Sequence, residues 1–188
     1  MLNGIVNGGA LQAGRLLFLS LTLLFLSFCV GAPRVEILKG GQIIKNVPFY
    51  PQKKYQCGPA SLAGILNFWG IPVSPEEIAA EIYSRPARGT FTLDMIFYPE
   101  KRGLKGTQYE GSFEDVKKKI DAGYPLIVMV DEGFWIYQKN HFMVVLGYHQ
   151  NGVVVNSGKY QYQFKPLSNF LKSWKRTRYW TLLITPTQ

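Results

Sequence analysis

The chain is predicted to fold as an α+β domain, with helices packed on one side of a mostly antiparallel sheet. Three observations lead there. In the first half, apolar residues recur at helical spacing, as in Leu62, Ile65, Leu66 and Trp69. The second half carries apolar runs of strand length, Pro125–Val130 and His141–Tyr148. An Asn151-Gly152 turn signal then joins the latter to Val153–Asn156 as an antiparallel pair. Helical patterns first and strand patterns afterwards is the order of segregated layers. No internal repeat or low-complexity segment interrupts it.

Taken in order, Gln42 to Val47 reads as a short strand. Pro48 and Pro51 keep the next stretch extended, because each restricts its own φ and the residue before it. Cys57 is predicted at a helix N-terminus, with Pro59 in the first turn and Gly70 at the stop. Ser74-Pro75-Glu76-Glu77 is a capping box that opens a helix to about Tyr83, with Ile78 and Ile82 on one face. Arg85 to Gly89 reads as a loop. Thr92 caps a helix over Leu93–Arg102, ended by Gly103, with Leu93, Ile96 and Phe97 as its apolar face and Asp94 suiting the dipole.

Thr107–Glu110 is a short extended piece. Ser112-Phe113-Glu114-Asp115 opens a helix that ends near Gly123. Pro125–Val130, rich in β-branched residues, suits a strand buried on both faces. Asp131–Asn140 is a loop carrying Gly133, Phe134, Trp135 and Tyr137, which either lines a groove or covers the core. His141–Tyr148 and Val153–Asn156 follow as strands. Lys165-Pro166 leads into a helix around Leu167–Trp174, and Tyr179–Thr185 closes as a strand.

The placement of Cys57 has chemical consequences. Free N–H groups and the positive end of the macrodipole favour a thiolate over a thiol. A thiolate is a nucleophile near neutral pH. Gln52, five residues upstream, has an amide that could join the Cys57 N–H in an oxyanion hole. The plain alternative is a small buried cysteine beside a loop glutamine. A base would have to be one of the two histidines. His149 adjoins the turn and is expected to be exposed; His141 opens an apolar strand, a place where histidine is more often structural.

Gln52 followed by Cys57-Gly58-Pro59-Ala60-Ser61-Leu62 resembles the nucleophile motif of cysteine peptidase family 39, relatives of the bacteriocin leader peptidases within the papain-like superfamily. The likeness runs from about Val47 to the chain end. Gln56 departs from it, since the family often has an acidic residue there. HFMVVLGY followed by VVVNSG looks like the histidine and asparagine segments of papain-like enzymes, although family 39 usually carries Asp where Asn156 or Ser157 stands. The resemblance implies a papain-like fold and a cysteine peptidase. Cys57 would attack a carbonyl carbon, His141 would be general base and then acid, and Gln52 would stabilise the oxyanion.

Strand register bears on the third member. A two-residue Asn151-Gly152 turn would leave Asn156 about six residues from the position facing His141, roughly 20 Å at about 3.3 Å per residue. A wider loop, Gly147–Gly152, pairs Leu146 with Val153 and makes Asn156 a diagonal neighbour of His141, about 7–8 Å between backbones. Ser157 would then point to the other face. The expectation is therefore the wider loop, with Asn156 orienting the imidazole.

The implied chemistry needs no cofactor. Two histidines and two cysteines, without HExxH or CxxC spacing, give no zinc pattern. The formal charge is +9, and Arg15 is the only charge in the first 32 residues, so the remainder carries +8. Such an excess favours anionic surfaces. The densest groups, Lys117-Lys118-Lys119 and Lys172, Lys175, Arg176, Arg178, come without a nucleic-acid motif and read as solvated faces.

Arg15 followed by the apolar Leu16–Val30 has the layout of a secretory signal, short for a membrane span. Leu26-Ser27-Phe28-Cys29 resembles a lipoprotein attachment box, departing at Phe28. Lipidation of Cys29 or cleavage near Gly31 or Ala32 would each leave Cys57 as the one free thiol; an uncleaved leader would instead permit a Cys29–Cys57 disulfide. The expected organisation is a leader over 1–32, a lead-in over 33–46 and a peptidase domain over 47–188. The expected protein is a secreted or envelope-anchored, monomeric cysteine peptidase acting on peptides or proteins. The alternatives are an acyltransferase or cell-wall amidase on the same residues, or a non-catalytic peptide-binding envelope protein.

Overall fold

The computed structural model describes residues 40–187; the readings on the 1–32 leader and Cys29 lie outside them. The helices are α1 (Cys57–Phe68), α2 (Pro75–Ile82), α3 (Thr92–Glu100), α4 (Phe113–Asp121) and α5 (Leu167–Lys175). The strands are β1 (Gln42–Ile43), β2 (Tyr83–Ser84), β3 (Gly89–Thr90), β4 (Leu104–Glu110), β5 (Leu126–Asp131), β6 (Asn140–His149), β7 (Gly152–Ser157), β8 (Tyr160–Pro166) and β9 (Trp180–Pro186). The main sheet runs β4-β9-β5-β6-β7-β8, with β1 added to β6, and every pair is antiparallel. β2 and β3 form a separate hairpin where a loop was expected.

The helices cover both faces of the sheet, not one. Side chains of α1, α2 and α3 pack with Phe142, Val144, Leu146, Val154 and Leu182. Val116 and Ile120 of α4 and Phe170 and Trp174 of α5 pack with Val128, Met143, Val145, Val153 and Val155. Because β5, β6 and β7 are apolar on consecutive residues, each face needs its own cover. The same strands that read as continuous hydrophobic runs thus demand two layers of helix.

Helix α1 is the centre of the first layer. Gly58 to Leu66 are all buried, so the helix has no solvent face over that stretch. Leu62, Ile65 and Leu66 are fully buried, each worth about 1.5–3 kcal/mol of transfer free energy. It ends at Gly70, whose φ of +80° suits glycine. Ser74 caps α2 through the expected box: its Oγ accepts the Glu77 N–H, and a Glu77 carboxylate oxygen accepts the Ser74 N–H.

Helix α3 turns a different face inward than its periodicity suggested. Met95, Tyr98 and Pro99 are buried, whereas Leu93 and Phe97 are exposed. The close approach of α1 selects that face: a Cβ on Gly58 would lie 2.9 Å from Thr90 and 3.0 Å from the Met95 sulfur. β1 is shorter than the Gln42–Val47 expectation, because Asn46 takes a φ of +63° and leaves the ladder. β8 was not foreseen; its residues alternate without a buried run.

The β6–β7 hairpin positions the site. Its turn is tight, with His149 opposite Gly152 and Gln150-Asn151 between them, so the wider Gly147–Gly152 loop and the two-residue Asn151-Gly152 turn are both overturned. A bulge at Leu146 then shifts the register by one, giving Val145 opposite Val155 and Val144 opposite Asn156. A one-residue shift exchanges the faces of every side chain beyond it. Ser157, not Asn156, therefore shares the face of His141. His149 is buried at 8% exposure, with its Nδ1 accepting the Asn151 N–H.

Gly147, beside the bulge, is where β1 joins. A Cβ there would lie 2.8 Å from the Gln42 carbonyl oxygen and 3.2 Å from the Val154 Cβ. Gly147→Ala is expected to destabilise the domain by about 1–3 kcal/mol through overpacking. A fall in the urea midpoint at unchanged slope would show it; an unchanged midpoint would mean the edge yields freely.

Candidate active site

Cys57 is the first residue of α1, and its neighbour Gln56 makes no side-chain cap. The helix-start N–H groups are thus not taken by a capping side chain. The thiol is free and half-buried. The backbone N–H of Phe142 faces its sulfur, as do those of Gly58 and Cys57 itself. Gln52 arrives at the same place from the lead-in. Its own N–H donates to the Gly158 carbonyl at 2.8 Å, and its Nε2 donates to the Phe142 carbonyl at 3.5 Å. The backbone of one residue, Phe142, therefore touches both, through its N–H and its carbonyl.

His141 immediately precedes that residue at the start of β6. Its Nε2 is 2.9 Å from the Ser157 hydroxyl. This leaves Nδ1 as the ring nitrogen available to a thiol. Alternation assigns His141 to the side of Met143 and Val145, while Cys57 belongs to the side of Phe142 and Val144. The two therefore reach the strand end from opposite faces of the sheet. Among the described hydrogen bonds none joins the sulfur to the ring; they are linked through the Phe142 backbone.

Asn156 is elsewhere, which corrects the expected orienter. It is 4% exposed, and its Oδ1 accepts the Tyr162 N–H at 3.0 Å. Tyr162 has a φ of +52°, and the bond braces the irregular β7–β8 pairing there. Of the four residues singled out from sequence, Gln52 and Cys57 both contact the Phe142 backbone, His141 is the residue before it, and Asn156 faces the opposite side of the sheet from His141. Ser157 takes its place against the ring. The one sequence signal for the Leu146 bulge that makes this exchange is Gly147, an isolated glycine inside the strand.

Electrostatics also departs from expectation. Burial pushes the Cys57 thiol above its ordinary range; the N–H groups of Phe142, Gly58 and Cys57 pull it back, and the Glu132 charge pushes again. Desolvation thus outweighs the helix terminus, and the thiolate expected from sequence gives way to a thiol. Burial likewise holds the His141 imidazole below its ordinary range, opposed by Glu132 and assisted by Lys165 and Lys139. The resting pair is neutral.

A groove of about 210 Å³ opens beside the start of α1, lined by Tyr50, Pro51, Lys53, Gln56, Ala60, Ser74, Pro75 and Glu76. The Lys53–Glu76 ion pair, 2.7 Å long, stands at its rim. Among the described residues no group of three or more His, Cys, Asp or Glu side chains is arranged to hold a metal.

Residues 44–181 match the Peptidase_C39 like family, and the chain belongs to it. Membership makes it a cysteine peptidase. Similar solved structures carry the same fold. One is a C39-like peptidase from Bacillus anthracis, with TM-score 0.68 and 19% identity over 79% of this chain and 98% of that one. Another is the peptidase domain of Streptococcus ComA, a bifunctional ABC transporter, with TM-score 0.63 and 21% identity over 76% and 100%. A third is a double glycine motif protease from an AMS/PCAT transporter in complex with its leader peptide, with TM-score 0.61 and 22% identity over 80% and 96%. No curated protein matches the chain in sequence.

The neutral pair sets the pH behaviour. A base that must be unprotonated limits the acid side, and His141 titrates below 6.5. A proton that must still be on sulfur or shared with the ring limits the alkaline side, and Cys57 titrates above 9.0. The kcat/KM profile is therefore expected to be a broad bell, with its limbs outside those two values and belonging to the coupled pair. Iodoacetamide labelling of Cys57 should be slow at pH 6 and accelerate toward pH 9. Fast labelling at pH 6 would instead indicate a standing thiolate.

Proposed function

We propose that the chain hydrolyses peptide bonds with Cys57 as nucleophile and His141 as proton acceptor. The observation that carries this reading is the contact of both Gln52 and Cys57 with the backbone of Phe142, the residue that follows His141 in β6. Substrate binding closes the Sγ–Nδ1 contact by rotation about χ1, as apo geometry at such sites is loose. The imidazole takes the thiol proton as sulfur attacks, and returns it to the leaving amine. A water, deprotonated by the same ring, then releases the acyl group. Gln52 Nε2 and the Cys57 N–H are the donors for the oxyanion.

Ser157 orients the ring in this scheme. With Nε2–H donating to its hydroxyl oxygen, the lone pair stands on Nδ1. The hydroxyl carries no charge, so it stabilises the imidazolium less than a carboxylate would. The substrate is a peptide whose residues beside the scissile bond lie along the Tyr50–Glu76 groove. The proposed setting is extracytoplasmic, supported by Arg15 and the apolar Leu16–Val30. N-terminal sequencing of exported protein starting near Ala32, or lipid labelling lost in Cys29→Ala, tests it.

Peptide hydrolysis should vanish in Cys57→Ala. Gln52→Ala should lower kcat by about 10²–10³. Ser157→Ala should lower kcat at least roughly tenfold, short of the ~10⁴ lost when a carboxylate orienter is replaced. Asn156→Ala should instead lose about 1–3 kcal/mol of stability, with kcat per folded molecule kept. If Asn156→Ala abolishes turnover while Ser157→Ala does not, the assignment of the orienter is wrong. Hydrolysis surviving Cys57→Ala removes the thiol mechanism altogether.

A further inference from the structure

The loop between β5 and β6 ends in four consecutive apolar side chains that cover nothing. Phe134, Trp135, Ile136 and Tyr137 are 85%, 82%, 85% and 70% exposed. We propose that this tip is a membrane-docking surface that seats its aromatic side chains in the interfacial region of an anionic bilayer.

The exposure is built in. Asp131 Oδ1 accepts the Gly133 N–H at 2.7 Å and the Lys139 N–H at 2.8 Å, closing the base of the loop. Arg176 donates to the Gly133 and Trp135 carbonyls, and its guanidinium lies 2.8 Å from Asp131 Oδ2, off the hydrogen-bond direction. The Tyr137 N–H donates to the Phe134 carbonyl at 2.9 Å, which turns the tip. The backbone is held from below while the side chains point outward. Such a contiguous exposed apolar patch marks an interaction site.

Charge selects the partner. The acidic groups of the loop are matched, Asp131 by Arg176 and Glu132 by Lys165 at 3.9 Å. Lys139 in the loop, and Lys172, Lys175 and Arg178 around the end of α5, have no ion-pair partner among the described residues. Lys172 lies one helical turn before Arg176 and so shares its face toward the loop. Aromatic side chains ringed by unpaired cations are what an anionic interface binds. A peptide would need a groove, and side chains this exposed project instead of lining one. Among the described residues no helix is long and apolar enough to cross a membrane, so the contact is at the surface. The proposal does not depend on the peptidase chemistry.

Trp135 reports the contact directly, because Trp69, Trp174 and Trp180 are half-buried or buried. The full chain is mixed with vesicles of phosphatidylglycerol and phosphatidylcholine carrying brominated acyl chains. The expected result is a blue-shifted, quenched emission, absent in Trp135→Phe and weaker with phosphatidylcholine alone or at high salt. Phe134→Ser/Ile136→Ser should lower vesicle affinity by roughly tenfold or more, and Lys172→Gln/Lys175→Gln by roughly tenfold, with unchanged thermal midpoints. An unshifted, unquenched Trp135 in protein that nevertheless floats with vesicles would overturn the proposal, leaving attachment to the N-terminus. A shift with an apolar peptide but not with vesicles would overturn it in favour of substrate docking.

Discussion

The backbone of Phe142 is the constraint on which the rest of the site depends. Its N–H faces the Cys57 sulfur, and its carbonyl receives the Gln52 amide. Its ring packs edge-on against Trp180 at 5.4 Å, within the core beneath α1. The position of this residue is set by β6, which pairs with β5 on one side and β7 on the other. Moving it would disturb the contacts of Cys57 and Gln52 together with the placement of His141, the preceding residue. The sheet thus fixes a contact between elements that are far apart in the chain.

The neutral resting pair follows from where this residue sits. Placing Cys57 under the end of a sheet removes water from the sulfur, and the local N–H groups only partly offset that loss. His141 is desolvated by the same packing. Both shifts favour the uncharged form. Glu132 is the carboxylate whose charge acts on both groups. It favours imidazolium and disfavours thiolate, and its effect on a transferred proton is therefore divided. A hydroxyl at Ser157 adds orientation without adding charge.

Much of this was legible in the residues. The α1 start, Pro59 and the Gly70 stop follow from local backbone rules, and the structure keeps them. The Ser74 box closes as its spacing requires. The apolar runs of β5 and β6 announced buried strands, yet the same runs imply cover on both faces, and α4 and α5 provide the second layer. What was not legible depends on one extra residue in a strand. The Leu146 bulge is signalled only by Gly147, an isolated glycine in an apolar strand, which marks a bulge or a close approach without fixing the register. That one residue decides whether Asn156 or Ser157 faces His141. In the same way, the outward face of α3 was settled by contact with Gly58, which periodicity cannot foresee.

The two helical layers also explain why the loop after β5 is held as it is. α5 runs along the second face and ends at Arg176, which reaches the Asp131 carboxylate and the loop carbonyls. Asp131 is buried, and that alone would raise its carboxyl; the Lys139 and Gly133 N–H groups and the Arg176 guanidinium hold it below the ordinary range. It is therefore charged at neutral pH, and the ion pair persists. Thr177, next in the chain, donates to the Met129 carbonyl at 2.5 Å and ties the end of α5 to β5. Asp131 faces Asn140 across the β5–β6 ladder, one pair from His141. The clamp that shapes the aromatic tip thus also fixes the strand end from which the imidazole projects.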